Sequence, residues 1–333
     1  MTVPITLFDL PHRQARELLA SGVPVFVTID PVEYHGPHLS LHNDRIMSRA
    51  LLRALHAGLA ERAPGLPLVL ADAMPIGVEP VQGPGSHAVP FPVVRDLVVG
   101  AALALADLGA EKVVLLTSHG APLHSLAIQH AVRALVARGV RALAPMNVIL
   151  HALLDPPEAL LDEAAACVPE PEREELRASM QHDFHAGFGE TSLSLHWAPE
   201  AVDPIHRELP DVNLTTPDAT LGRAARIARA LGRDALAREL DYAAHGVGWF
   251  KMRPFPGYTG RPRLACAAAG AVFARFAEER ILDVTRAVLE EGAAAPEPPM
   301  RWLERVSVGG RIPGGIVPPE AVRLHPQPGR STA

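Results

Sequence analysis

Glu33-Tyr34-His35-Gly36-Pro37-His38-Leu39-Ser40-Leu41-His42-Asn43-Asp44 packs two carboxylates and three histidines into twelve residues. It follows Val23-Pro24-Val25-Phe26-Val27-Thr28-Ile29-Asp30, which reads as a short buried strand. An apolar helical pattern (Met47, Ala50, Leu51, Ala54, Leu55) begins directly after it and predicts a helix over 45–62. The polar cluster therefore falls where a strand hands over to a helix, the edge at which open α/β sheets bind ligands. Carboxylate and imidazole together suit zinc, manganese or iron. Taken singly, the groups have ordinary readings. Asp44 can be the helix N-cap, Gly36-Pro37 a turn, and each histidine a surface or hydrogen-bonded residue. Glu-x-His followed by Asp is more specific, because a Gly-Pro turn can fold all three groups to one point.

Outward from this stretch, strand and helix patterns alternate. Residues 8–20 read as a first helix, 66–71 as a second strand and 75–92 as a Gly- and Pro-rich loop. A strongly apolar helix over 93–108 precedes Lys112-Val113-Val114-Leu115-Leu116-Thr117, a third strand with the all-apolar middle of a central parallel strand. This strand ends at Ser118-His119-Gly120, and a helix over 123–138 follows. Residues 140–150 are a fourth strand candidate, and 154–180 read as a helical insert or lid rather than core. Helices are expected over 191–197, 218–244 and 264–289, with a loop over 199–217. The alternation implies βαβ units and a mostly parallel sheet. His119 and the Glu33–Asp44 cluster then share the carboxyl edge of that sheet.

These segments resemble the creatininase (creatinine amidohydrolase) family. Its signature runs approximately Glu-Gln-His-Gly-Pro-His-Leu-Pro-Leu, a variable residue, Thr-Asp; here Tyr34 replaces the Gln, Ser40 the Pro and Asn43 the Thr. Asp183-Phe184-His185-Ala186-Gly187-Phe188-Gly189-Glu190-Thr191-Ser192 is similar to the family's His-Ala-Gly segment leading to Glu-Thr-Ser. Gly85-Ser86 echoes its Phe-Pro-Gly-Thr segment, and Gly260-Arg261-Pro262 its late turn into a helix. The resemblance implies a three-layer α/β/α fold with a mostly parallel sheet. It implies a creatininase-like domain over 1–292, with 293–333 as a Pro- and Gly-rich extension that wraps the surface or is partly disordered.

For chemistry, the resemblance implies a metal-dependent amidohydrolase that cleaves an amide, lactam or formamide C–N bond with water activated between two divalent metals. Zinc is expected first, with manganese or iron as alternatives. Glu33, His35, Asp44, His119 and Glu190 are the implied ligands, with Asp44 shared, and His185 is the implied proton shuttle. Creatininase carries a carboxylate two residues past its strand-end histidine; this chain has Ala121 there, so Glu190 is expected to supply the missing oxygen. Glu190 also has an ordinary reading as an acidic residue in a first helical turn, and His119 as a loop cap. His185 could instead orient a ligand, and Asp183 could orient His185 or start a turn. His38 and His42 read as surroundings. Tryptophans that enclose creatinine in creatininase have no counterpart before His185, since Trp197, Trp249 and Trp302 all lie elsewhere. The substrate is thus expected to be another small molecule or a short peptide. A family member that binds metal without turnover is the alternative from another class. A homo-oligomer, a hexamer or another even assembly, is also implied.

Bulk properties narrow the partners. The chain has 333 residues, 48% of them hydrophobic, and a net charge of −6. That is enough for one large domain or two small ones, and it argues against nucleic-acid or anionic-membrane partners. No stretch reads as a signal or membrane-spanning segment. Cys167 and Cys266 are the only cysteines, so no disulfide framework is expected, and a cytoplasmic location fits.

Overall fold

A computed structural model describes residues 3–213, 216–312 and 317–322. Five strands form one parallel sheet: β1 (Ile5–Thr6), β2 (Val25–Ile29), β3 (Val69–Met74), β4 (Lys112–Leu116) and β5 (Arg141–Leu143), in the order β1-β3-β2-β4-β5. In register, Val25 lies opposite Val69 on one side and Val113 on the other. The chain leaves β2 toward β3, then returns across it to place β4 on the far side. The loops after β2 and β4 therefore diverge, which makes their shared carboxyl edge a topological switch point.

Side chains of a strand alternate between faces, and the core follows that alternation. Val25, Val27, Ile29, Val113 and Leu115 pack with helices α1 (His12–Leu19), α3 (Phe91–Leu108) and α4 (Pro122–Ala137). Phe26, Val114 and Leu116 face the other way. There they meet Leu51, Leu55 and Leu59 of α2 (Asn43–Arg62) and Ile281 and Val288 of α11 (Ala267–Leu289). This is the expected three-layer arrangement, with every strand pair parallel among the described residues.

Between β5 and α11 lie α5 (Met146–Leu154), α6 (Glu158–Ala165), α7 (Glu172–Ser179), α8 (Phe188–Trp197), α9 (Ala219–Ala230) and α10 (Asp234–Phe250). The strand expected over 140–150 is only Arg141–Leu143; Pro145 interrupts it, and the apolar run continues as α5. The helix expected over 218–244 is two helices, broken at Gly232 with φ +69°, and the second runs on to Phe250. The insert over 154–180 is not merely a lid, because Ala164, Ala165, Val168 and Leu176 form a buried cluster with Phe188, Ala269 and Val272. Asp44 does not cap α2 but sits inside its first turn, after His42. The two cysteines are not independent thiols. Cys167 and Cys266, 99 residues apart in sequence, are joined by a disulfide where α6 gives way to α7 and α11 begins.

Beyond residue 292, the chain lies across α4, α5 and α10. Glu297 meets Gln129 and Arg133, Pro296 accepts a hydrogen bond from Asn147, and Glu239 bonds both Met300 and the Trp302 indole. A short helix α12 (Trp302–Val306) follows, and His130 meets Glu304. The remainder of the expected extension, 313–316 and 323–333, lies outside the described residues. Among the described residues, no helix is long and apolar enough to cross a membrane.

Candidate metal centre

The loop after β2 folds back on itself, with Glu33 N donating to Leu41 O at 3.0 Å. Gly36 makes the turn at φ +65°, where a Cβ would come within 3.0 Å of the His38 ring and 3.1 Å of Tyr258. Glycine meets both demands without strain. Behind the loop, Asp30 ties three elements together through Oδ1. It accepts from Ser48 Oγ of α2 (2.7 Å), Ser118 N (3.1 Å) and Thr117 Oγ1 (3.3 Å). The ends of β2 and β4 and the start of α2 are thereby locked beside one another.

Glu33, His35, Asp44 and His119 are all buried. Backbone carbonyls fix both ring tautomers. His35 Nδ1 donates to Glu33 O at 3.1 Å, so in the neutral ring Nε2 carries the lone pair. That Nε2 faces Asp44 Oδ1 at 3.4 Å and Glu190 Oε1 at 3.3 Å. His119 Nε2 donates to Val78 O at 3.0 Å, which leaves Nδ1 facing Glu33 Oε2 at 2.7 Å and Asp44 Oδ2 at 3.6 Å. Glu33 Oε2, His35 Nε2 and Asp44 Oδ2 are buried without hydrogen-bond partners. Lone pairs turned toward one another in a buried site call for a cation between them, and an orienting bond on the far ring nitrogen is what ligating histidines carry. The arrangement fits divalent metal.

Two donor trios result, Glu33–Asp44–His119 and His35–Asp44–Glu190, each with its donor atoms within 4.8 Å of one another. Asp44 belongs to both and turns one oxygen to each histidine. Other donors hold the carboxylates in place. Glu33 Oε1 accepts from Val81 N at 2.6 Å, Glu190 Oε1 from Asn43 Nδ2 at 3.0 Å, and Glu190 Oε2 from Ala186 N. Asn43 Oδ1 is itself held by Ser194 Oγ at 2.7 Å.

The charge balance points the same way. Burial works to discharge the His35 ring, but Glu190 and Asp44 outweigh it and raise the ring well above the ordinary histidine range. Burial also opposes charge on His119, and Glu33 overcomes it, to about 9. Asp44, buried and next to Glu33, is pushed up to about 7. The cluster thus takes up positive charge, as protons where no metal is bound.

His185 stacks on His35 with ring centroids 4.5 Å apart. Its Nε2 donates to Tyr34 O at 3.0 Å, so Nδ1 is bare and lies 3.8 Å from Glu33 Oε1. Burial, followed by the neighbouring His35, lowers its pKa, so the ring is neutral. Glu33, His35 and His185 form a third possible trio. Asp183 does not hold His185; its Oδ2 accepts from Gly189 N at 2.8 Å. The carbonyl of Tyr34 holds the ring from one side, and Thr259 holds its backbone. His38 is buried and bonds Thr191 Oγ1 at 2.9 Å, while His42 is exposed.

The structure thus brings Glu33, His35, Asp44, His119, His185 and Glu190 to one place. Sequence reading missed Asp30, Asn43 and the carbonyls of Val78 and Tyr34. Asn43 was visible only as a departure from the family signature, and backbone carbonyls leave no trace in side-chain identity. Also unforeseen was a cavity of about 180 Å³ beside the cluster, lined by residues of α2, α5, α6, α8 and α11.

No curated protein matches the chain by sequence. Solved structures do match its fold. A creatinine amidohydrolase (creatininase) crystal structure is 19% identical, with a TM-score of 0.57 over 87% of this chain and 99% of its own. A manganese creatininase is 18% identical, with a TM-score of 0.56 over 86% and 100%. A creatininase point mutant of Zn-Zn type is 18% identical, with a TM-score of 0.56 over 87% and 100%. At that identity the likeness establishes a shared fold. The sequence profile of the family described as Creatininase, creatinine amidohydrolase, matches residues 9–285, a span that holds every donor of the cluster, and the chain belongs to the creatininase family.

Proposed function

We propose that the protein is a metal-dependent hydrolase of a C–N bond, an amide, lactam or formamide, in a small molecule. The observation that carries this reading is the Asp44 carboxylate, which offers one oxygen to each of the two donor trios. Glu33 and His119 would complete one metal site and His35 and Glu190 the other, with zinc or manganese as the fitting ions. Bound there, two such cations supply a water acidic enough to act as nucleophile at neutral pH and a Lewis acid for the carbonyl oxygen.

The protein's own part is positional. The carbonyls of Glu33 and Val78 fix the two ring tautomers, so that lone pairs, not N–H groups, face the carboxylates. Asn43 and the Ala186 N–H hold Glu190 in place. His185, neutral and with Nδ1 bare, is suited to accept the proton of the attacking water and deliver it to the leaving nitrogen. The test is metal analysis of the purified protein together with turnover of cyclic amides and N-formyl compounds. Two ions per chain and metal-dependent turnover are expected. Full turnover after complete metal removal would overturn the reading. Homo-oligomeric assembly is part of the same proposal, and sedimentation showing only monomer at micromolar concentration would count against it.

A further inference from the structure

The cavity beside the cluster has a one-sided composition. On α2, Asp44, Met47 and Leu51 line it; on α8, Glu190, Leu193 and Trp197 do. Both sets follow the spacing i, i+3, i+7, which keeps them on one helix face. Each stripe starts at a carboxylate of the cluster and turns apolar as it leaves. At 1.5 Å per residue, the stripes run for about 10 Å. Met146, Ile149 and Leu153 of α5 close the space from one direction, and Phe273 and Phe276 of α11 from another. Among the described residues, no lysine or arginine lines it. The space, about 180 Å³, exceeds the ~150 Å³ of an apolar cavity that holds benzene.

We infer that the substrate is an amide with an uncharged, apolar arm, of phenyl to hexyl size, next to the bond that is cut. This rests on the hydrolase reading above and names its substrate class. The carbonyl carbon sits at the carboxylate end of the two stripes, and the arm extends along them. Hydrolysis breaks the C–N bond and forms a C–O bond from water. The nitrogen leaves with the water's proton, and the products are a carboxylic acid and an amine. A compact polar substrate would leave the apolar walls of α5 and α11 uncovered. An arm carrying a carboxylate would find no cationic partner there.

Two substrate series test this with the zinc-loaded protein. One varies the acyl chain on a fixed amine from acetyl to hexanoyl and phenylacetyl. The other varies the N-alkyl group of a formamide over the same range. In at least one series, kcat/KM is expected to rise roughly fourfold per methylene until the space is full, from the ~0.8 kcal/mol that each buried CH₂ contributes. Flat or falling values in both series overturn the inference. Ile149→Trp, which fills the space, and Leu153→Glu, which charges it, should each lower the long-to-short ratio at least about tenfold. Leu153 is 40% exposed, so its substitution does not threaten folding; an unchanged ratio in that variant also overturns the inference. Calorimetric titration with acetamide and hexanamide separates this inference from the function it rests on. If no amide is hydrolysed yet hexanamide binds at least tenfold tighter, the hydrolase reading fails and the apolar arm stands. If amides are hydrolysed without regard to length, the arm fails and the hydrolase stands.

Discussion

Glu190→Gln removes one charge and almost no volume, and the surroundings of Glu190 make its effect calculable. Oε2 accepts from the Ala186 N–H, and Oε1 accepts from Asn43 Nδ2 and faces the bare Nε2 of His35. A glutamine amide cannot satisfy both sides. With its oxygen toward Ala186, its NH₂ meets the Asn43 NH₂; turned over, it meets the Ala186 N–H. Asn43 cannot simply flip, because its oxygen is held by Ser194. One buried donor is left unsatisfied in either orientation, a cost of about 1–3 kcal/mol. For the metal, the trio His35–Asp44–Glu190 falls to two protein ligands, below the three that such sites normally use. The loss of affinity should exceed the ~10–100-fold that follows removal of a group merely supporting a ligand. Elemental analysis after dialysis is the assay. Wild type is expected to hold two metals per chain and Glu190→Gln close to one, with turnover down by orders of magnitude. If the variant keeps two tightly bound metals, Glu190 is not a ligand and the division of the cluster into two trios is wrong.

His185→Ala should keep both metals and lose only proton transfer, about 10²–10⁴-fold in kcat; loss of a metal by elemental analysis would instead make it a ligand of the third trio. Asn43→Ala, which frees Glu190 on one side, should weaken metal binding by about 10–100-fold, read by competition with a chelator. Burial opposes charge on His119 and Glu33 overrides it, to about 9, so without metal this ring is protonated at neutral pH. Metal binding should then release protons and tighten as pH rises; calorimetry in buffers of different ionisation heat would refute this by showing no proton release. Gly270→Ala would set a Cβ 1.9 Å from Ser192 O, forcing α11 off the helix that carries Glu190. A loss of about 1–3 kcal/mol is expected in denaturant unfolding, and a neutral result would show that the two helices separate freely.

Much of the fold was legible because β2 and β4 are largely apolar and the helices between them carry apolar residues at helical spacing. The donors were legible because Glu33, His35 and His119 sit directly after those strands and Asp44 in the first turn of the helix that follows β2, where side-chain chemistry and position agree. Legibility failed where an apolar run carries no period. Residues 140–150 suit a strand or a helix equally, and only Pro145 marks the change. Gly246 and Gly248 look like helix breakers, yet α10 runs through both; at Gly248 a Cβ would lie 2.3 Å from Thr216 O, so the glycine permits a close approach. The disulfide joins cysteines that no local pattern pairs. The cavity is built by helices distant in sequence, so its apolar walls are visible only after folding.

The two trios share Asp44 but not their place along the chain. Glu33, Asp44 and His119 all lie within the first 119 residues, whereas the other trio waits for Glu190. Synthesis proceeds from the N-terminus at about 5–20 residues per second, so residue 190 is made about 4–14 s after residue 119. During that interval the growing chain carries every donor of one trio and only part of the other. On the proposed two-metal reading, ligand order alone gives the two positions different histories on the ribosome: one set of donors is complete once His119 has been made, and the other only after α8 has arrived.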